Sequence, residues 1–506
     1  LAHEKFSASL QKAMQIFKKI LVKQSLIVKV VIACMLLWGA AMACFEIKPF
    51  WHDEWRLIYN LKFKTHTTLW GDLFYTQQFP RVYLQLLKYF TEAFHYNYFS
   101  LRVPAFLVAV ASVFLCWYLM NRIFYKDSPV KFLFVLILLS SNTFIEYFVQ
   151  TKHYEMEIFM SLVALWQCLE IIYWDKKCSL RFLSISVSLL VAPFFSYTYP
   201  IAIAPFFIIV LFQFFTIKNP NRYLLFFPVL ASLCGIALFY YIDVAQLMAD
   251  EEMKLFWKFR MMSEGGGWLK TFEKLWGFFA KVGAGFVFEI VFGVLGIYAF
   301  YWNVRRSICK RSAAFSASHL IICYAIGVII VSIFLFLFGK LPLGEPKFNC
   351  FAVPALALLI VKTLEAYLQK EATRKYAVFI AVVIYLAVIG NIFSSMINTF
   401  TLPEYAKRMT IYHATEKAIA TAQKNKLPIL VTVNVAFPDD LNSYMPGMEI
   451  MSAASVLKTF PAYDVQQAIP VYSIEKMATA HLTADSLHLP SYIAGDGEHY
   501  RLISKE

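Results

Sequence analysis

Four short stretches carry the residues that could do chemistry. The first, "KPFWHDEWRLIYN" at 48–60, sets His52, Asp53 and Glu54 side by side just after the first long apolar run. A carboxylate shielded by lipid and by Trp51 and Trp55 can have its pKa moved toward neutrality and serve as a general base, with His52 tuning it. Equally, two acids there can simply mark a membrane boundary. The second stretch is "YTQQFPRVYLQLLKYF" at 75–90. Pro80 suits the first turn of a helix, and Gln77 and Gln78 before it either hydrogen-bond a polar headgroup such as a sugar or decorate an interfacial helix. The third, "YFVQTKHYEMEIFMSL" at 147–162, concentrates Lys152, His153, Tyr154, Glu155 and Glu157 at the edge of an apolar run. Ionisable groups inside spans are costly and mark functional sites by default, although an interfacial ion-pair cluster looks the same from sequence. At a spacing of i, i+3, Lys152 and Glu155 can share one helix face, with Glu157 elsewhere. In the fourth, "GKLPLGEPKFNCFAVPALALLI" at 339–360, Lys340 and Lys347 either hold a lipid-linked phosphate or snorkel from a helix end. Lys254, Lys258 and Arg260 read as the charged face of an amphipathic segment. Glu289 and His319 read as structural.

The elements that must position these residues follow from composition. Of 506 residues, 59% are hydrophobic and 16% charged, with 49 phenylalanines. The mean hydropathy is +0.58. A water-soluble chain of this size needs more charge to cover its surface, so the sequence predicts an all-α polytopic membrane protein. Spans of roughly 20 apolar residues begin near Ser25, Leu101, Pro129, Tyr154, Ser179, Tyr199, Arg222, Val282, Ser318, Phe348 and Tyr376, about eleven in all. The net charge of +14 suggests nucleic acid in a soluble protein. Here it is explained by Lys and Arg gathered in alternate short loops, the positive-inside pattern, and no nucleic-acid partner is expected. Examples are Lys18, Lys19 and Lys23, then Arg122 and Lys126, then Lys176 and Lys177, then Arg305 and Arg306. That map puts residues 1–24 in the cytoplasm as an amphipathic, uncleaved N-terminus. The transmembrane domain takes 25–400, with a first outer loop at 46–100 bearing interfacial helices and another outer loop at 243–279. Residues 401–506 then form a small α/β extracytoplasmic domain, with "TEKAIATAQKNKL" as a helix and "PILVTVNVAF" as a strand. Cysteine spacing gives neither disulfides nor a zinc site.

In this order the pieces resemble the GT-C membrane glycosyltransferases, the group that contains protein O-mannosyltransferases and the lipid A aminoarabinose transferase. The family's Asp-Glu pair after the first span is matched by "HDEW". Its interfacial helix is matched by "FPRVYLQLLKYF", and the opening of its second span by "SLRVPAFLVAV". "QTKHY", "SYTYP" and "LPLGEPK" stand where many bacterial members carry further motifs. The match runs from Lys48 to about Pro354. Gln150 stands in place of an acid, Lys347 in place of an arginine, and Gln78 where some relatives have Glu or His.

The resemblance implies a GT-C-like fold and a polyprenyl-phosphate-linked sugar donor embedded among membrane lipids. It also implies a lipid, glycan or protein acceptor arriving at the outer face of a bacterial inner membrane. Asp53 would be the base in an inverting transfer, with Glu54 beside it. Lys152, Lys347 and Lys340 would hold the donor phosphate. His52, Gln77, Gln78, His153, Tyr154 and Glu157 would contact sugar or acceptor. The resemblance leaves room for a divalent metal ion as cofactor without demanding one. Two other readings fit the composition. One is a transporter or flippase of a lipid-linked sugar, which predicts mid-membrane charges and repeated halves. The other is a catalytically inactive assembly subunit of the same fold, which the glutamine at position 150 keeps open.

Overall fold

The computed structural model describes residues 25–45, 50, 52–73, 77–173, 179–216, 220–249, 268–280, 286–309, 316–343, 345–401, 430–433, 491–495 and 500–504. Within them the side chains of His52 and Asp53 fall outside the described set. The segment carrying Lys254, Lys258 and Arg260 and the helix expected at "TEKAIATAQKNKL" also lie outside the described residues.

The protein is an all-α polytopic membrane protein, with seventeen α-helices among the described residues. After α1 (Ser25–Cys44) come two helices too polar to cross a bilayer, α2 (His52–Phe63) and α3 (Arg81–Ala93). Next are α4 (Tyr98–Ile123), α5 (Phe132–Ser140), α6 (Asn142–Tyr147), α7 (Tyr154–Ile172), α8 (Ser179–Val191) and α9 (Tyr199–Thr216). Then follow α10 (Phe226–Phe239), α11 (Ala245–Ala249), α12 (Trp268–Ala280), α13 (Phe286–Cys309) and α14 (Ala317–Leu337). The last are α15 (Pro346–Asn349), α16 (Val353–Leu368) and α17 (Glu371–Thr401). Seven stretches are long and apolar enough to span a membrane: Ser25–Cys44, Tyr98–Ile123, Tyr199–Thr216, Arg222–Ala249, Ala317–Leu337, Lys347–Leu368 and Glu371–Ile397. The run expected from Pro129 is broken instead. Ser140 and Ser141 turn their hydroxyls back to Ile137 O and Leu138 O, and the Ser141 side chain caps α6 by accepting from Phe144 N. Such local side-chain bonds compete with the helical ladder.

The Lys347–Leu368 span is the centre of the bundle: 89% of its apolar window is buried, against 28–56% in the other six. Around it pack α5, α13, α14 and α17, while α7 joins α4 to α9, and α8 pairs with α10. Two close approaches set the α9–α14 and α8–α10 pairings. A Cβ at Gly327 would sit 2.8 Å from Pro205 Cγ, and one at Gly235 would sit 2.5 Å from the Leu190 carbonyl oxygen. The loop carrying α2 and α3 is knitted by its own polar groups. Lys88 donates to Leu61 O (2.7 Å) and pairs with Glu92 (2.7 Å), and His66 bridges Gln85 (2.9 Å) and Glu92 (2.8 Å). Burial acts to raise the Glu92 carboxyl, but its bonds to Lys88 and His66 outweigh this and hold it below the ordinary carboxylate range.

At the far end of the chain, β1 (Leu430–Val433) pairs in parallel with β2 (Ser491–Gly495), and β2 pairs antiparallel with β3 (Tyr500–Ser504). β1 falls inside the apolar run expected to form a strand.

Candidate active site

The first turn of α2 carries Asp53 and Glu54, and Glu54 is fully buried. Its Oε1 accepts from Arg102 Nη1 on α4 at 2.5 Å and from the Thr151 backbone N–H at 2.6 Å. The same Arg102 nitrogen donates to Val149 O (2.9 Å), and the guanidinium lies 4.2 Å from the Phe50 ring centroid and 5.4 Å from that of Tyr98. Glu54, expected beside the base, is thus an ion-paired anchor. Removing one partner from such a buried pair costs about 3–5 kcal/mol. By tying α2 to α4 and to the turn before α7, it fixes where the backbone of Asp53 sits.

That turn meets the start of α3. Lys152 is 4% exposed and donates to Gln77 Oε1 at 2.5 Å; Gln77 is buried and Gln78 half-buried. Because α7 begins only at Tyr154, Lys152 precedes the helix instead of sharing a helical face with Glu155. Three residues past Gln78 the chain enters α3 at Arg81, which is 2% exposed. Its backbone N–H donates to Asp243 Oδ2 (2.7 Å), and the Tyr197 hydroxyl lies 2.6 Å from Asp243 Oδ1 and 3.1 Å from Phe79 O. Asp243 reaches inward from a single π-helical turn, Tyr240–Val244, a distortion frequent at functional sites. The carboxylate hydrogen-bonds Arg81 by its backbone and feels the guanidinium only through its charge: Nε and Nη1 are sealed from solvent and have no hydrogen-bond partner. Sequence reasoning missed Arg81, Arg102 and Asp243. The available signal for Arg81 was a cation placed directly after the proline that opens an interfacial helix.

His153 is packed in aromatic rings, 5.1 Å from Phe79, 4.9 Å from Tyr154 and 6.1 Å from Tyr197. Burial, with the charge of Lys152 adding to it, pushes its imidazole down to about 3, so the ring is neutral at physiological pH. Tyr154 is buried and pairs with Tyr147 at 4.5 Å. Glu157, expected to touch sugar or acceptor, has its oxygens occupied. It accepts from Tyr197 N (3.1 Å), Thr198 N (3.0 Å) and the hydroxyls of Ser196 and Thr198. It is the clasp that shapes the "SYTYP" turn leading into α9.

The 339–349 connection supplies the remaining residues. Gly339, at φ +63°, ends α14 in the left-handed conformation glycine favours, and Lys340 follows it, exposed. Lys347 lies 3.7 Å from Glu345 and 5.2 Å from the Phe348 ring centroid. Asn349 closes α15, 6% exposed, with both amide atoms sealed and unpartnered. α15 packs on α6, and the turn after it packs on α7. Lys347 therefore joins the same end of the bundle as Lys152. Two further ion pairs, the half-buried Arg122–Glu170 and the buried Lys362–Glu365 (2.8 Å), sit at the opposite ends of α4, α7 and α16. Among the described residues, no three His, Cys, Asp or Glu side chains lie close enough to hold a metal ion.

This geometry belongs to a recognisable architecture. The chain is similar to ArnT from Cupriavidus metallidurans bound to undecaprenyl phosphate, with 13% identity and a TM-score of 0.50 over 94% of this chain and 97% of that one. ArnT of the same organism in the apo state gives 13% identity and a TM-score of 0.48, covering 96% and 98%. No family model matches the chain, and no curated protein sequence does. The fold is the GT-C fold.

Proposed function

We propose that the protein is an inverting membrane glycosyltransferase that takes a sugar from a polyprenyl-phosphate donor at the outer face of a bacterial inner membrane. The observation that carries this reading is the buried Arg81 guanidinium, whose Nε and Nη1 have no hydrogen-bond acceptor. Two buried guanidinium nitrogens without acceptors are costly unless a ligand supplies them, and the one carboxylate whose charge Arg81 feels here, Asp243, is already bonded to the Arg81 backbone N–H and to Tyr197. The guanidinium stands at the end of the bundle where the Glu54 anchor sets Asp53, within a fold that ArnT uses with undecaprenyl phosphate bound.

In this reading the acceptor hydroxyl gives its proton to the Asp53 carboxylate while its oxygen attacks the anomeric carbon. The bond from that carbon to the phosphate oxygen breaks, and its electron pair leaves with the lipid phosphate. Arg81, Lys152 and Lys347 meet the phosphate charge in the bound donor and as it departs. Lys340, outside the cap of α14, adds long-range attraction only. Glu54 positions Asp53, and Gln77 orients Lys152. General-base assistance supplies about 10²- to 10⁴-fold in rate. Asp53→Asn is therefore expected to bind undecaprenyl phosphate as the wild type does and to release it from a sugar donor at least about 10²-fold more slowly. Full activity in Asp53→Asn would remove Asp53 as the base. An absence of undecaprenyl phosphate binding to the wild-type chain would remove the donor class.

A further inference from the structure

Asp243 is a buried carboxylate beside the phosphate cations, and the transfer chemistry above gives it no role. It is 2% exposed and belongs to the π-turn Tyr240–Val244. Its Oδ2 accepts the Arg81 backbone N–H at 2.7 Å, and its Oδ1 accepts the Tyr197 hydroxyl at 2.6 Å. The acid is thereby fixed at the main chain of the residue whose Nε and Nη1 lack acceptors, and the two charges act on each other. Other acids stand at this end of the bundle, turned to other groups. Glu157 holds the 196–198 turn, Glu54 pairs with Arg102, and the charge of Glu155 acts on Tyr83 and Cys350.

An anion fixed against a phosphate-binding cation weakens the binding of every phosphate, but not equally, because repulsion grows with the charge of the ligand. A sugar-bearing lipid phosphodiester carries one negative charge. The phosphomonoester left after transfer carries close to two above its second pKa of about 6. The acid therefore costs the product more than the donor. We propose that Asp243 discriminates between donor and product: its fixed charge disfavours the doubly charged lipid phosphate and so speeds its release after transfer. The inference deepens the glycosyl-transfer reading above and rests on it.

Asp243→Asn removes the charge and can keep the bonds. The amide oxygen still accepts the Arg81 N–H, and the Tyr197 hydroxyl can accept from the amide while donating to Phe79 O, 3.1 Å away. Equilibrium binding to the purified full chain in lipid nanodiscs at pH 8 tests the inference with two probes. One is undecaprenyl phosphate; the other is its methyl ester, a singly charged phosphodiester without a sugar. In Asp243→Asn the monoester is expected to gain about tenfold in affinity over the methyl ester, relative to the wild type, and to dissociate more slowly. Tyr197→Phe, which loses a bond and keeps the charge, is expected to leave the ratio between the probes unchanged. An unchanged ratio in Asp243→Asn overturns the inference. So does an equal shift in Tyr197→Phe, which would make the effect one of packing. Should Asp243→Asn fail to fold, Asp243→Ser, neutral and smaller, decides by the same ratio. If the wild type binds both probes and the neutral variants leave their ratio unaltered, the discrimination fails and the donor reading stands. If the wild type binds neither probe, both fail.

Discussion

His153 and Glu157 sit one helical turn apart, and the structure gives each a testable character. The imidazole has a folded-state pKa of about 3, below the roughly 6.5 of an unfolded histidine. The unfolded chain thus takes the proton first. Stability is expected to fall as pH drops from about 6.5 toward 3, while the folded ring stays neutral. In a histidine-labelled NMR titration, the signal that disappears in His153→Gln should show no inflection between pH 5 and 8; an inflection near 6.5 would place the ring in water. For Glu157, replacement by Gln sets an amide N–H₂ against groups that are all donors. At about 1.5–3 kcal/mol per hydrogen bond to a charged group, Glu157→Gln should lower the melting temperature clearly. An unaltered melting temperature with abolished sugar transfer would return Glu157 to the substrate. The acids and lysines of this site were legible as residue types near span edges. Their jobs were not, because partners lie far apart: Glu54 meets Arg102 across 48 residues, and Arg81 meets Asp243 across 162. Spacing rules see only the neighbours along one helix.

Among the elements, the pairing of α8 with α10 depends on an absent side chain. A Cβ at Gly235 would meet Leu190 O at 2.5 Å and Leu189 O at 2.9 Å, and carbonyls of a helix backbone cannot rotate away. Gly235→Ala should therefore separate the two helices and reduce the yield of monodisperse protein. Gly390, in α17, would meet nothing within 4 Å. Gly390→Ala should gain up to about 1 kcal/mol of helix propensity, seen as a raised melting temperature. Equal behaviour of the two variants in size-exclusion chromatography would discard the close-approach argument. Hydrophobic runs announced most helices and the strand at Leu430–Val433. The break at Ser140 and Ser141 escaped, since the apolar run continues through it in composition and only the serine hydroxyls interrupt the ladder. The π-turn that aims Asp243 inward likewise leaves no mark on hydropathy.

For the whole molecule, the polar network of α2, α3 and the 149–153 turn lies at one end of the bundle, and Tyr125 at the other. The basic-loop pattern assigns the first end to the outside. On a cysteine-free background, a membrane-impermeant thiol reagent should reach Lys340→Cys in intact cells. It should reach Tyr125→Cys only after permeabilisation. Both side chains are exposed, so accessibility reports sidedness alone, and the reverse result would turn the site to the cytoplasm.

The Glu54–Arg102–Thr151 staple also imposes an order on biosynthesis. Glu54 leaves the ribosome 48 residues before Arg102 and 97 before Thr151. At about 5–20 residues per second, the acid waits roughly 5–20 s for its full set of partners. Until α4 has been inserted, the first hairpin of the nascent chain therefore keeps its carboxylate in water, and α2 cannot settle. Arg102 enters the bilayer edge as a cation whose partner has already been delivered. Lesions at either residue should accordingly act on how much protein emerges from the translocon, before any question of turnover arises.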